Sequence, residues 1–133
     1  MKISKAFKEL SFAEKGAMLG TRELLDKGLV RAVEFNMNLS CVSSNEYIGC
    51  GTIACIGGTM GQIMYPGDLN KAHRYVMGIE EGEPIHRLFF PDYRINYEKI
   101  TRAEAVKAID NFIAKGDPKW MSIVHKSKVH EDE

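Results

Sequence analysis

Apolar residues recur at helical spacing in several segments of the chain, and helix-capping residues bound each segment. Ser11 and Glu14 form a capping box, in which the hydroxyl accepts from a backbone amide and the carboxylate reaches back. The apolar positions that follow end at Gly28, a residue typical of helix C-termini. The pattern predicts a helix between these residues, although Gly16 and Gly20 lower its helix propensity by about 1 kcal/mol each relative to alanine.

The second half of the chain contains three more segments with helix-start and helix-stop residues. Asp68 is a favoured N-cap, Pro84 suits the first position of a helix, and Thr101 with Glu104 forms a second capping box. Helices are predicted between Asp68 and Gly78, between Pro84 and Phe90, and between Thr101 and Gly116. We expect Trp120 and the apolar residues after it to dock back on the core.

The segment from Gly51 to Tyr65 is apolar on nearly every side, which is typical of a buried helix. Small residues share one face of this predicted helix, where a neighbouring backbone can approach closely. They are Gly51, Ala54, Cys55, Gly58 and either Gly61 or Gln62. The sequence therefore predicts a glycine-rich central helix whose glycines permit close packing.

Between these helices, apolar residues alternate over Arg31 to Val42, at Val33, Phe35, Met37 and Leu39. Alternation is typical of a short strand or hairpin, and an extended connector with apolar anchors fits equally well. The whole pattern predicts a mainly α, single-domain helical bundle over residues 1–124, followed by a flexible tail at 125–133.

Composition narrows the class of protein. The 133 residues carry 18 basic and 18 acidic side chains, so neither the net charge nor any basic helix indicates nucleic-acid binding. No apolar run approaches the ~20 residues of a membrane span, and the N-terminus lacks the apolar core of a secretory signal. The three cysteines fit reduced thiols. These features predict a cytoplasmic protein without a membrane segment.

Three kinds of catalytic or cofactor site lack support in the sequence. Residues 49–54 match the spacing G-x-G-x-x-A, but no strand-rich unit that a dinucleotide site requires is predicted around them. The chain has no G-K-[ST] triplet for a phosphate loop. Cys50 and Cys55 are spaced unlike zinc ligands, and the histidines are isolated. We therefore predict no catalytic constellation, no metal site and no cofactor.

One binding site remains as a hypothesis. If Cys50 lies just outside the start of the central helix, the helix dipole lowers its pKa and makes it nucleophilic. Thr52 then supplies a hydroxyl and the amides from Gly51 onward form an anion cradle. Cys55 lies one turn further along. Buried packing is the favoured interpretation of both cysteines.

The run from Cys50 to Gly58 resembles the pattern C-G-T-x-x-C-x-A-G of a family of small bacterial and phage-type proteins. A preceding Phe35-Asn36-Met37 and a following Leu88 to Pro91 extend the resemblance, as does the spacing of Thr101, Ala105 and Ile109. The family implies a compact helical domain, but it has no established activity to carry over. Thr59 departs from the pattern, which has Trp or His at this position.

Two functions follow as hypotheses. The first is a non-enzymatic interaction or regulatory module that binds an unknown protein partner or a second copy of itself. The absence of a catalytic constellation and the balanced charge favour it. The alternative is a thiol-dependent or small-ligand-binding protein that uses Cys50 at the N-terminus of the central helix.

Overall fold

A computed structural model of the chain describes residues 2–28, 33–35, 42–43 and 52–124. The expectations for Met37, Leu39, Cys50 and Gly51 concern residues outside this part of the chain. The predicted flexible tail at 125–133 also lies outside it.

Helices make up most of the described residues, which confirms the prediction of a mainly α fold. They are α1 (Lys5–Lys8), α2 (Phe12–Lys27), α3 (Ile56–Met64), α4 (Leu69–Met77), α5 (Pro84–Phe89), α6 (Arg102–Lys115) and α7 (Trp120–Ile123). A 3-10 turn at Tyr97–Lys99 precedes α6.

The ends of α2 and α6 form as their capping residues predict. The Ser11 hydroxyl accepts from the amide of Glu14 at 3.1 Å, and the amide of Ser11 donates to the Glu14 carboxylate at 3.1 Å. Gly28 ends α2 in the left-handed region at a φ of 65°. Helix α2 runs unbroken through Gly16 and Gly20. Helix α6 has the same capping box at Thr101 and ends at Gly116.

Three short strands form a small sheet. They are β1 (Val33–Phe35), β2 (Val42–Ser43) and β3 (Thr52–Ala54), with β3 in the middle. Strand β3 pairs in parallel with β1 and antiparallel with β2. The sequence left open whether residues 31–42 form a strand or an extended connector. Residues 33–35 of this segment form a strand.

Strand β3 corrects the predicted start of the central helix. Residues 52–54 are extended, and the helix begins at Ile56 rather than Gly51. The backbone groups of β3 pair with strands on both sides, and β-branched Thr52 and Ile53 suit an extended chain. These pairings outweigh the helical spacing of the small residues.

Helix α3 is central in the core, and its largest packing surfaces face α2 and α4. The largest fully buried side chains come from several helices and the turn before α6. They include Met18, Ile56, Met60, Val76, Leu88, Phe89, Ile95, Ile109 and Phe112. The Arg22 guanidinium joins α2 to α6 by two hydrogen bonds to the Asp110 carboxylate, at 2.6 and 3.1 Å.

The end of the described chain folds back on α5, as the sequence predicts for Trp120. The Trp120 indole is buried and donates to the carbonyl of Arg87 at 3.0 Å. The Asn111 amide donates to the carbonyl of Pro118 at 3.0 Å and holds the preceding loop against α6. Lys119 adopts a left-handed backbone conformation with a φ of 59°, which turns the chain into α7.

Candidate functional site

Cys55 is the N-cap of α3 and joins this helix to β3. Its sulfur accepts from the amide of Gly58 at 3.4 Å, so the thiol takes the role that a serine hydroxyl has at other helix starts. Thr59, where the resembling family has an aromatic residue, is buried and donates from its hydroxyl to the Cys55 carbonyl at 2.7 Å. Both side chains therefore stabilise the first turn of α3.

The environment of Cys55 favours a protonated thiol. Burial raises the pKa of this thiol above its ordinary value of 9.0, and the nearby amides of Gly58 and Gly57 offset only part of that effect. A thiol is nucleophilic only as the thiolate and only where reagents reach it. Cys55 thus fits the packing interpretation rather than a reactive one.

The four residues of the hypothetical thiol site do not form a described cluster. Cys50 and Gly51 lie outside the described residues, and Thr52 belongs to β3. Helix α3 begins at Ile56, so its N-cap is Cys55 and not a residue next to Cys50 in the chain. The thiol site at Cys50 itself stays a hypothesis. The last three residues of the G-x-G-x-x-A spacing, Thr52–Ala54, form a strand, whereas a dinucleotide site has the start of a helix at these positions.

Close packing against the central helix occurs at Gly57 and Gly61, one helical turn apart. A Cβ at Gly61 would lie 2.9 Å from the Cα, Cβ and carbonyl oxygen of Ala72. A Cβ at Gly57 would lie 2.9 Å from the ring of Phe89. The sequence predicts close approach at either Gly61 or Gln62, and the structure shows it at Gly61. The predicted face does not include Gly57, because it was set by a helix that started too early.

The described part of the chain contains neither a cluster of three or more metal-ligating side chains nor a helix long and apolar enough to cross a membrane. Its two histidines lie on separate helices. His73 is exposed on α4, and His86 on α5 packs against Phe90 with ring centroids 4.6 Å apart. The ring of His86 thus lies beside an apolar neighbour.

Helix α2 presents an apolar strip to solvent, formed by Phe12, Gly16 and Leu19 and named here the α2 strip. Phe12 is 94% exposed and Leu19 50% exposed. An added Cβ at Gly16 would meet no atom within 4 Å. At 100° per residue, Phe12 and Leu19 lie within about 20° of each other around the axis and about 160–180° from the buried Thr21. The strip therefore lies on the side of α2 that faces away from the core.

A cleft of about 380 Å³ lies between the end of α5 and the start of α7. Its apolar lining residues are Phe90, Pro118, Trp120 and Met121. Arg87 and Lys119 supply positive charge, and Asp92 and Asp117 supply negative charge. This volume is within the range of about 300 to 1,000 Å³ found for small-molecule sites.

Each acidic residue of the cleft is bound by a basic neighbour. The Arg94 guanidinium donates to both carboxylate oxygens of Asp92, at 3.0 and 2.9 Å. Asp117 accepts from the amide of Lys119 at 3.0 Å, and its carboxylate lies 3.9 Å from the Lys119 ammonium. Among the described residues, no carboxylate lies within 4.0 Å of the Arg87 guanidinium. The uncompensated charge of the cleft is therefore positive and lies at Arg87.

The Asp92–Arg94 pair predicts a measurable pH dependence. Hydrogen bonds from Arg94 lower the pKa of Asp92 from 3.8 to about 2, so this pair adds stability above about pH 4 and loses it as the pH falls toward 2. We expect an NMR titration of the Asp92 carboxyl carbon to give this low value. In Arg94→Gln it should return toward 3.8. Arg74→Gln, which changes an exposed arginine on α4, should leave it low; equal values in all three proteins would contradict the pairing.

The sequence does not predict either surface feature, for different reasons. A helical projection of α2 places Phe12 and Leu19 away from the buried side, so the strip was open to prediction. The cleft joins residues 87–92 to residues 117–122, which no local motif connects. Only the fold brings these segments together.

Comparison with known proteins gives no further guide to the role of these surfaces. No protein-family model matches the chain, and no curated protein or solved structure is significantly similar to it. The resemblance to the small bacterial and phage-type family thus stays a prediction. The site features rest on the geometry of this chain alone.

Proposed function

We propose that the protein is a non-enzymatic interaction module that self-associates through the α2 strip. The observation that carries this proposal is the exposure of Phe12, at 94%, beside the bare backbone of Gly16. A large apolar side chain at a fully exposed helix position favours contact with another surface. Neither residue is needed for packing within α2.

The spacing of these two residues favours a second copy as the occupant. Phe12 and Gly16 are four residues apart on one side of the helix, so one projects and the other leaves a shallow depression. When two such helices pair antiparallel about a two-fold axis, each Phe12 faces the Gly16 of the other copy. This is the reciprocal arrangement of an isologous interface.

Neighbouring residues extend the same surface. Leu19 continues the strip by one more turn, and Ile63 of α3 is 38% exposed and packs beside Gly20, 3.2 Å from where a Cβ there would lie. This surface has only a few residues, whereas a stable dimer interface involves about 20–30 residues on each side. We therefore expect weak, reversible association, with a Kd on the order of 10⁻⁴ M.

Sedimentation velocity over a concentration series tests the proposal. The native chain should shift from monomer to dimer as its concentration rises through this Kd, and Phe12→Asp should stay monomeric because two carboxylates would be buried opposite apolar surface. Tyr93→Asp is the matched control, since Tyr93 is 84% exposed and lies outside the strip. A native protein that remains monomeric throughout, or a dimer that Phe12→Asp leaves intact, would overturn the proposal.

The cellular setting belongs to the same proposal. The resemblance to bacterial and phage-type proteins supports a bacterial origin. The odd number of cysteines and the buried thiol of Cys55 are compatible with the reducing cytoplasm. We propose that the module acts in the cytoplasm.

A further inference from the structure

We propose that the cleft between α5 and α7 binds a small aromatic carboxylic acid, with Arg87 as the residue that pairs with the carboxylate. This site is separate from the α2 strip and shares no residue with it. The inference depends on the charge balance of the cleft, on its apolar walls and on the contacts that hold its walls in place.

The charge balance selects an anionic group. Asp92 already accepts from Arg94, and Asp117 already accepts from the backbone of Lys119. Arg87 has no acidic partner among the described residues, and a guanidinium pairs with a carboxylate through two parallel hydrogen bonds. A ligand with a single negative charge would therefore neutralise the cleft.

The apolar walls select the rest of the ligand. Phe90, Pro118 and Met121 line the cleft beside Arg87, and Met121 is 42% exposed. Apolar side chains that include the aromatic ring of Phe90 favour a ring over a hydrated sugar or a bare inorganic anion. The volume of about 380 Å³ accommodates one aromatic ring and a short acidic arm.

Contacts within the chain hold both walls of the cleft in position. The indole of Trp120 donates to the backbone carbonyl of Arg87, which ties α7 to α5. The side-chain amide of Asn111 donates to the backbone carbonyl of Pro118 and so holds the loop before α7 against α6. A cleft with fixed walls binds with a smaller loss of conformational entropy than one that must order on binding.

Phenylacetate and its neutral analogue phenylacetamide are the probes that test the site. Trp120 is the single tryptophan of the chain and lies at the cleft, so its fluorescence reports binding directly. We expect phenylacetate to change the emission of Trp120 saturably. Phenylacetamide should bind at least ~10-fold more weakly, because it lacks the charge that pairs with Arg87.

The Arg87→Gln variant removes the positive charge at residue 87 while the backbone contacts that hold the cleft remain. We expect it to weaken phenylacetate at least ~10-fold and to leave phenylacetamide unchanged. The Trp120 hydrogen bond goes to the backbone of residue 87, so the variant should keep the native emission maximum. Arg74→Gln removes an exposed arginine outside the cleft and should bind phenylacetate as the native chain does.

Several outcomes would overturn the inference. They are no saturable response to phenylacetate, equal binding of the acid and the amide, equal affinity in native protein and Arg87→Gln, and inorganic phosphate competing as strongly as phenylacetate. Self-association is measured without either probe, so failure of the cleft and failure of the α2 strip remain distinguishable.

Discussion

Replacing Phe112 with alanine should remove about 4 kcal/mol of unfolding free energy. Phe112 is fully buried on α6, at the centre of the apolar core. Truncation removes the transfer free energy of the ring and leaves a cavity that the packed helices around it fill only partly. Since a small domain has about 5–15 kcal/mol of stability in total, this loss would be between about a quarter and four-fifths of it.

Urea unfolding followed by Trp120 fluorescence measures this change, and Phe12→Ala is the matched control. Phe12 has the same side chain, but it is 94% exposed and leaves no cavity when truncated. Its replacement should alter the unfolding free energy by less than about 0.5 kcal/mol. Similar losses in both variants would contradict the burial of Phe112 and the exposure of Phe12, and with them the α2 strip.

Phe12 and Phe112 also show how far the sequence predicts this fold. Both are apolar residues at helical spacing in the sequence. The capping boxes at Ser11 and Thr101 correctly predict where their helices begin. Caps act within one turn, so they can be read without knowledge of the tertiary structure. Which side of a helix is buried depends on the helices packed against it, and that information lies elsewhere in the chain.

The start of the central helix was predicted wrongly because a distant pairing decides it. The small residues from Gly51 to Gly61 fit a helical face, and nothing within the segment itself excludes a helix. Thr52–Ala54 instead pairs with Val33–Phe35, from a separate part of the sequence. Cys55 consequently becomes an N-cap rather than a residue inside the helix, although its thiol is buried as the packing interpretation expects.

The candidate ligand site was not predictable from the sequence. Arg87 is one charged residue among many in the chain, and its importance depends on which carboxylates lie nearby. The structure shows Asp92 paired with Arg94 and Asp117 paired with Lys119, which leaves Arg87 as the charged residue of the cleft without an ion-pair partner among the described residues. Side-chain pairing of this kind is set by the fold and not by spacing along the chain.

Close packing at Gly61 yields the second large prediction, because this glycine lies against the backbone of α4. An alanine methyl group there would lie 2.9 Å from three atoms of Ala72, two of them in the backbone. Helices α3 and α4 would have to separate, and overpacking of this kind costs about 1–3 kcal/mol or more. After the gain of about 1 kcal/mol in helix propensity, we expect Gly61→Ala to lose about 2 kcal/mol.

Gly16→Ala makes the same chemical change inside another helix and should have the opposite sign. No atom lies within 4 Å of the added methyl group, so only the propensity gain of about 1 kcal/mol remains. Urea unfolding at a concentration where the chain is monomeric compares the two variants. Stabilisation by both would contradict the close approach of α3 to α4. The methyl group would also fill the depression that faces Phe12 of a second copy. Gly16→Ala should therefore weaken self-association while it stabilises the monomer. A purely structural role for Gly16 does not produce this combination.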